Sequence, residues 1–431
     1  MEGFADGVVH TGLAIAGLML VGQGVVRSIP ALRRVGVPAA MIGGVAGLLL
    51  GSEGLGALPF RRDVLEQVVY HGLALTFIAV ALRPPEATAD ARGARGMALG
   101  IGLLFTGQAL VGLLCVLALG LVGAGVHPGF GAILPLGFEQ GPGQAMSLGG
   151  AWEAAGMPDG AQVGLIVAAI GFAWCVVVGV PLVAWGRRRW GVAAVAEGAS
   201  RADDEPEPVG TGGDLEPLAA HAGAIGLVYA VTWFVCEGVF RALSFAPDVA
   251  QMVWGFPFLF GALVGMILRR PLARALGLNG RMLGRIAGMA VDVTTVAALA
   301  AIELAVVWSH ALPIGLVTTV GGIATAAVSI GLASRLFPKQ TLEHVAVLFG
   351  MGTGTTPTGL ALLRMVDPLM RSSASGAAIG GSAMAIPMVA PVLIGVLPLA
   401  VSGSVGAAVG ACVVWIGVLL VGGWLTGTLR R

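Results

Sequence analysis

The sequence predicts an all-α polytopic membrane protein: two inverted five-helix repeats, each with a re-entrant hairpin, plus one extra C-terminal transmembrane helix. Three observations predict it. Of 431 residues, 57% are hydrophobic and only 11% charged, where a soluble domain carries about 25% charged residues. Apolar runs near the roughly 20 residues that a spanning helix needs follow one another along the chain. Two Gly/Pro-interrupted segments occupy matching places in the two halves.

The first half, 1–186, offers spans at 7–26, 37–56 (short and Gly-rich), 64–82, 97–124 and 160–185. The stretch 187–216 is charged, rich in Pro and Gly and without periodicity, and reads as a linker. The second half, 217–400, offers 219–240, 251–268, 286–309, 312–333 and 376–400, and a last span at 404–427 occupies the segment 401–431. Basic residues fix the orientation. Arg27, Arg33 and Arg34 follow the first span, Arg83, Arg92 and Arg95 the third, and Arg187, Arg188 and Arg189 the fifth. Arg269, Arg270, Arg274, Arg281 and Arg285 follow the seventh, Arg335 and Lys339 the ninth. Every odd-numbered exit is the basic one, with Arg61 and Arg62 the main exception. The expected topology has the N-terminus outside and the linker and C-terminus in the cytoplasm. The acidic start MEGFADGVV lacks the basic region of a secretory signal, so no cleaved targeting peptide is expected.

Five spans precede the linker and five follow it before the extra one. An odd number of crossings per half makes the second half enter from the opposite side, which is an inverted repeat. VPAAMIGGVAGLLLG (37–51) matches WGFPFLFGALVGMIL (254–268) in pattern, and Gly141 and Gly143 fall on Gly352 and Gly354 at a common offset of 211. Paired interrupted segments in two inverted halves point to the binding site of a secondary transporter.

The second of these segments runs GMGTGTTPTGLALLRMVDP from Gly350 to Pro368. Thr356 suits an N-cap and Pro357 the first helical position, and Asp367-Pro368 stops the helix at about Val366. Ten residues at about 1.5 Å each reach half a bilayer core, and TLEHVAVLFG (341–350) is a piece of similar length. The segment 341–366 is therefore expected to be a re-entrant hairpin. Irregular backbone at that depth is tolerated only when it is buried in protein or lines a cavity. Its carbonyls and the hydroxyls of Thr353, Thr355, Thr356 and Thr358 are hard oxygen ligands suited to sodium, and the helix N-terminus after Pro357 suits a carboxylate. The first half repeats the layout over about 130–156, with FGAILPLGF (130–138), a GPGQ tip, and AMSLGGAWEAAG (145–156). The two tips are expected to meet near the midplane.

At these residues the sequence resembles the sodium/glutamate symporter family. GTTPTGLALLRMVDP is similar to that family's second-half signature, and GFEQGPGQAMSLGGAWEAAGMPDGAQVGL occupies the place of its first-half motif, Gly-Gly-His-Gly-Thr followed by small residues. The chain departs from that motif at Pro142 and Gln144, which stand at its His and Thr positions, and the span at 404–427 lies beyond the usual family end. The resemblance implies ten core helices in two inverted repeats, a homodimer in a bacterial inner membrane, and elevator-like motion of a hairpin-bearing domain against a scaffold. It implies sodium-coupled symport of glutamate or a related acidic amino acid or carboxylate.

The candidate substrate-binding residues are Gly141, Gly143, Gln144, Gly354, Thr355, Thr356 and Thr358. The candidate ion-binding residues are Glu139, Thr353, Thr355 and Asp292, because an ionisable group within a membrane span is a functional candidate. Glu139, beside the first tip, reads as ion ligand or proton carrier, or else as a partner for an interfacial Arg. Gln23 and Gln108 read as interhelical hydrogen-bond glue, and Glu237 and Glu303 lie nearer span ends. Two other readings are open: a proton-coupled or altered-substrate carboxylate transporter of the same fold, and an ion channel with re-entrant filter loops. A channel filter is normally repeated about a symmetry axis, whereas here two unlike segments sit in opposed halves.

No enzyme is expected, since no Ser/His/Asp, Cys/His or paired-carboxylate constellation stands out. Cys115, Cys175, Cys236 and Cys412 lie in apolar runs without CxxC spacing. The six histidines show no ligand spacing, so no metal beyond sodium and no cofactor are expected. A net charge near +1 argues against a nucleic-acid partner; the expected partners are a small anionic substrate, the lipid bilayer and a second copy of the chain.

Overall fold

The computed structural model describes residues 2–58, 60–84, 91–191, 215–245 and 247–429, and among them all regular structure is helical. In chain order the helices are α1 (Glu2–Ser28), α2 (Pro30–Val35), α3 (Ala39–Leu50), α4 (Arg62–Leu82), α5 (Ala91–Leu121), α6 (Gly129–Pro135), α7 (Pro142–Glu153), α8 (Gly160–Val177), α9 (Gly179–Trp190) and α10 (Pro217–Ala242). There follow α11 (Pro247–Met252), α12 (Pro257–Leu276), α13 (Gly280–Ala300), α14 (Leu304–Ser309), α15 (Ala311–Leu336), α16 (Thr341–Gly352), α17 (Thr356–Val366), α18 (Ser373–Pro391), α19 (Leu397–Val401) and α20 (Val405–Leu425).

Nine helical segments among the described residues are long and apolar enough to cross a bilayer. The chain is a multi-pass membrane protein. Two of the eleven expected spans fall short of that standard. The span expected at 37–56 is the 12-residue α3, and α12 carries Arg269, Arg270 and Arg274 in its second half. Two boundaries also move. The helix expected at 251–268 starts at Pro257 and ends at the left-handed Gly277. The one expected at 286–309 starts at Gly280, because Asn279 Oδ1 accepts from the N–H groups of Arg281 (2.8 Å) and Met282 (3.2 Å). It ends at Ala300, before the separate α14. Of the expected linker, residues 187–190 continue α9, and 192–214 lie outside the described residues, as do Arg430 and Arg431.

The chain forms two compact units. Unit 1 comprises Met1–Gly22, Gly43–Glu86 and Ala196–Ala301, and so contains most of α1 and α3 with α4, α10, α12 and α13. Its core runs through Ile78, Ala79 and Leu82 of α4, Ile225 and Val228 of α10, Val264 of α12, and Leu283 and Ala287 of α13. These fall at helical spacings of three and four, which puts each set on one face. Lipid tails are as apolar as these side chains, so close packing rather than escape from water holds such helices together. Gly261 shows it: a Cβ there would sit 2.8 Å from Ile78 Cγ1.

Unit 2 comprises Gln23–Ile42, Ala87–Val195 and Ile302–Arg431. The 31-residue α5 is its central helix, packed by α18, α15, α6 and α20. A second cluster joins Cys175 of α8 and Val183 of α9 to Leu342, Ala346 and Phe349 of α16 and Leu362 and Val366 of α17. The last helix is tied in by Trp415, whose indole N–H donates to Met388 O at 2.8 Å.

Candidate functional site

Both interrupted segments lie in unit 2, and each is a helix, a break and a second helix. In the second, α16 runs to Gly352, the chain breaks over Thr353 and Gly354, and α17 starts behind its N-cap Thr355 with Pro357 in its first turn. The cap is thus one residue earlier than the sequence suggested. Thr355 is extended (φ −146°, ψ 175°) and its N–H donates to Thr358 Oγ1 at 2.7 Å. Thr358 Oγ1 also lies 2.8 Å from Gly350 O and 2.6 Å from Thr355 O, the two acceptors for its single proton. The arms approach so closely that a Cβ on Gly350 would be 2.7 Å from Gly359 Cα. The turn after α17 is closed by Asp367, which accepts from the Ser372 N–H at 2.6 Å. Burial raises the Asp367 carboxyl, but hydrogen bonds from the Ser372, Arg371 and Leu369 N–H groups and from the Ser372 hydroxyl together hold it below its ordinary value.

The first segment differs in detail. Pro135 ends α6, and Leu136–Gln140 continue as a π-helical turn. Gly141 then breaks the chain at φ 88°, ψ −179°, a region that only glycine occupies readily. Pro142 follows at the first position of α7. The expected four-residue GPGQ tip is therefore a single residue, because Pro142, Gly143 and Gln144 are already helical. The glycine register of 211 does not align the helix starts either: the caps Gly141 and Thr355 stand three residues out of it.

The two tips touch. A Cβ on Gly141 would lie 2.8 Å from Thr355 Cγ2, and one on Gly171 of α8 would meet both Thr353 O (2.9 Å) and Phe138 Cδ1 (3.1 Å). At this junction sit the N-terminus of the 12-residue α7 and that of the 11-residue α17.

Three side chains here carry buried oxygen atoms with no hydrogen-bond partner among the described residues. They are both carboxylate oxygens of Glu139 on the π turn, Oε1 of Gln144 in the first turn of α7, and Oε1 of Gln108 on α5. Glu139 is 8% exposed, and Gln144 and Gln108 are each 2% exposed. The Gln108 amide nitrogen donates to Thr325 Oγ1 (2.9 Å) and to Gly352 O (2.6 Å) at the second tip. It glues helices, as its position in a span suggested, but its carbonyl oxygen is left over.

The other candidates are distributed as follows. Thr353 is fully buried and donates to Phe349 O at 2.7 Å. Thr356 is half-buried, 3.4 Å from Ser382 Oγ of α18. Gly143 and Gly354 are buried beside the tips, and a Cβ on Gly354 would collide with Thr358 Oγ1. Asp292 belongs to unit 1 and is exposed on α13. Glu237 pairs with Arg241 at 2.7 Å along α10, and the Glu303 N–H donates to Gln162 Oε1 at 3.0 Å. Gln108, Thr325 and Ser382 join the tips without having been singled out as ligands. A polar residue within a span was the only available signal.

No family model matches this chain, and no curated protein matches it significantly.

Proposed function

We propose that this protein is a secondary active transporter, carrying glutamate or a related acidic amino acid or carboxylate in symport with sodium. The observation that carries the reading is the meeting of the two interrupted segments within one unit, Gly141 against Thr355. Each brings a helix N-terminus to the junction, and the buried Gln144 oxygen lies in the first turn of one of them. Helix N-termini carry partial positive charge and free N–H donors, which favour a carboxylate. Gln144 supplies an amide to the polar groups of such a substrate. Unit 1 then serves as scaffold and unit 2 as the moving body of an elevator in an inverted-repeat fold, with the N-terminus outside and the linker and C-terminus in the cytoplasm. The resemblance to the sodium/glutamate symporters, carried by Thr355-Thr356-Pro357-Thr358 and the glycines at 141 and 143, supports the same reading, including a dimer in a bacterial inner membrane.

The test is radiolabelled uptake by proteoliposomes, with sodium and proton gradients imposed separately over a panel of acidic amino acids and dicarboxylates. The expected result is concentrative uptake of at least one of them under an inward sodium gradient. Downhill flux alone, insensitive to either gradient, would move the protein to the channel class.

A further inference from the structure

The orphaned oxygens sort by helix polarity. Gln144 belongs to the N-terminal end of α7, where an anion is favoured. Glu139 sits in the last turn of the α6–π segment, and Gln108 is fastened to Gly352 O, the last residue of α16. Both lie at C-terminal helix ends, where partial negative charge favours a cation. We infer that Glu139 and Gln108 hold the coupling sodium ion between the C-terminal ends of the α6–π segment and α16, an inference that rests on the transport reading above.

Elimination supports it. The elements packed most closely on the π turn are α6, α7, α8 and α16. The first three carry no Arg, Lys or His. On α16 the one such residue is His344, eight residues before Gly352 or about 12 Å along the helix; it is stacked on Phe337 at 3.6 Å. The remaining titratable groups on these elements are Glu153, whose carboxylate accepts from Ala161 N–H, Cys175 and Glu343. The apolar surroundings include Gly137, packed against Val167 and Ala168 of α8. Among the described residues, these four elements bring no Arg or Lys to this carboxylate, and a buried carboxylate without a counter-charge is strongly disfavoured. An anionic substrate at the neighbouring N-termini adds like charge, so it binds well only after a cation has arrived. That is a physical basis for coupling, and it acts equally in both directions.

The choice of cation follows from the count of oxygens. Two from Glu139 and one from Gln108 are buried without a donor. A proton would satisfy one of them, whereas sodium, a hard cation, takes several oxygen ligands at once.

The test needs no substrate. Purified protein in detergent is heated across a series of NaCl concentrations, with choline chloride holding the ionic strength constant. A bound ion raises the unfolding midpoint by mass action. The wild type is expected to show a sodium-specific rise. Glu139→Gln should shift its half-saturating concentration upward by about 10- to 100-fold, the scale of one lost charged ligand, and Gln108→Met should shift it about tenfold in the same direction. The second variant decides if the first does not fold. A wild-type midpoint that follows pH but not sodium overturns the inference and replaces sodium by protons in the transport reading, whereas a sodium response unchanged in both variants overturns the inference alone. A sodium-specific rise lost in the variants, in a protein that accumulates no tested solute, upholds the ion site and removes the transport reading.

Discussion

Thr358 and Thr355 look interchangeable in the run Thr-Thr-Pro-Thr, yet they do different work. The Thr358 hydroxyl is bound inside its own hairpin, accepting from Thr355 N–H and donating to Gly350 O or Thr355 O. Thr355 caps α17 and turns its methyl toward Gly141. Thr358→Val takes the side-chain partner from Thr355 N–H and Gly350 O, whereas Thr355 O still accepts from Gly359 N–H, and should destabilise the protein by about 1–3 kcal/mol, read by thermal unfolding in detergent. Thr355→Ala keeps the backbone bond to Thr358 but loses the side-chain half of the capping box, so stability should fall by about 0.5–2 kcal/mol while sodium and substrate affinities fall together by about tenfold or more. A Thr355→Ala protein with unaltered sodium dependence of uptake would exclude this hydroxyl from the coupling site. Residue chemistry was legible in the sequence where it is local: Thr-Pro at a helix start, Asp-Pro at a helix stop, glycine at a break. The isolation of Glu139 was not legible, because it depends on which helices pack around it and on their lacking cations.

At the scale of elements, the bounds of the second hairpin's two helices followed from their own stop and start signals to within two residues. Those of the first hairpin did not. Its π turn arises where Pro135 ends regular α6 and Gly137 packs against α8, a tertiary circumstance that a linear pattern does not carry. The misplaced bounds of α12 and α13 have a related cause. A window of hydropathy sees neither the Asn279 cap nor a helix that continues through Arg269, Arg270 and Pro271. Because both hairpins pack into one unit, spin labels at Ala151 on α7 and Leu360 on α17 should keep one mutual distance with and without sodium and substrate, by pulsed electron resonance. Distances from Leu360 to Val45 on α3 of unit 1 should change. A varying distance between the hairpins, with the second distance constant, would replace a rigid moving body by local gating.

At the scale of the whole molecule, each unit draws on both halves of the sequence in the same order. Unit 1 takes α1, α3 and α4 from the first half and α10, α12 and α13 from the second. Unit 2 takes α5, the first hairpin and α8, then α15, the second hairpin and α18, with α20 added. That parallel is what two repeats divided between a scaffold and a carrier would produce, and such a carrier would expose the tips to each side of the membrane in turn. The most direct measurement places a single cysteine at Thr356, with Cys115, Cys175, Cys236 and Cys412 replaced by alanine, in sealed vesicles of known orientation. A membrane-impermeant maleimide is then applied from each side in turn. Labelling from both sides, slowed on both by sodium and substrate together, is the predicted result. Labelling from one side only, under every combination of sodium and substrate, would contradict it.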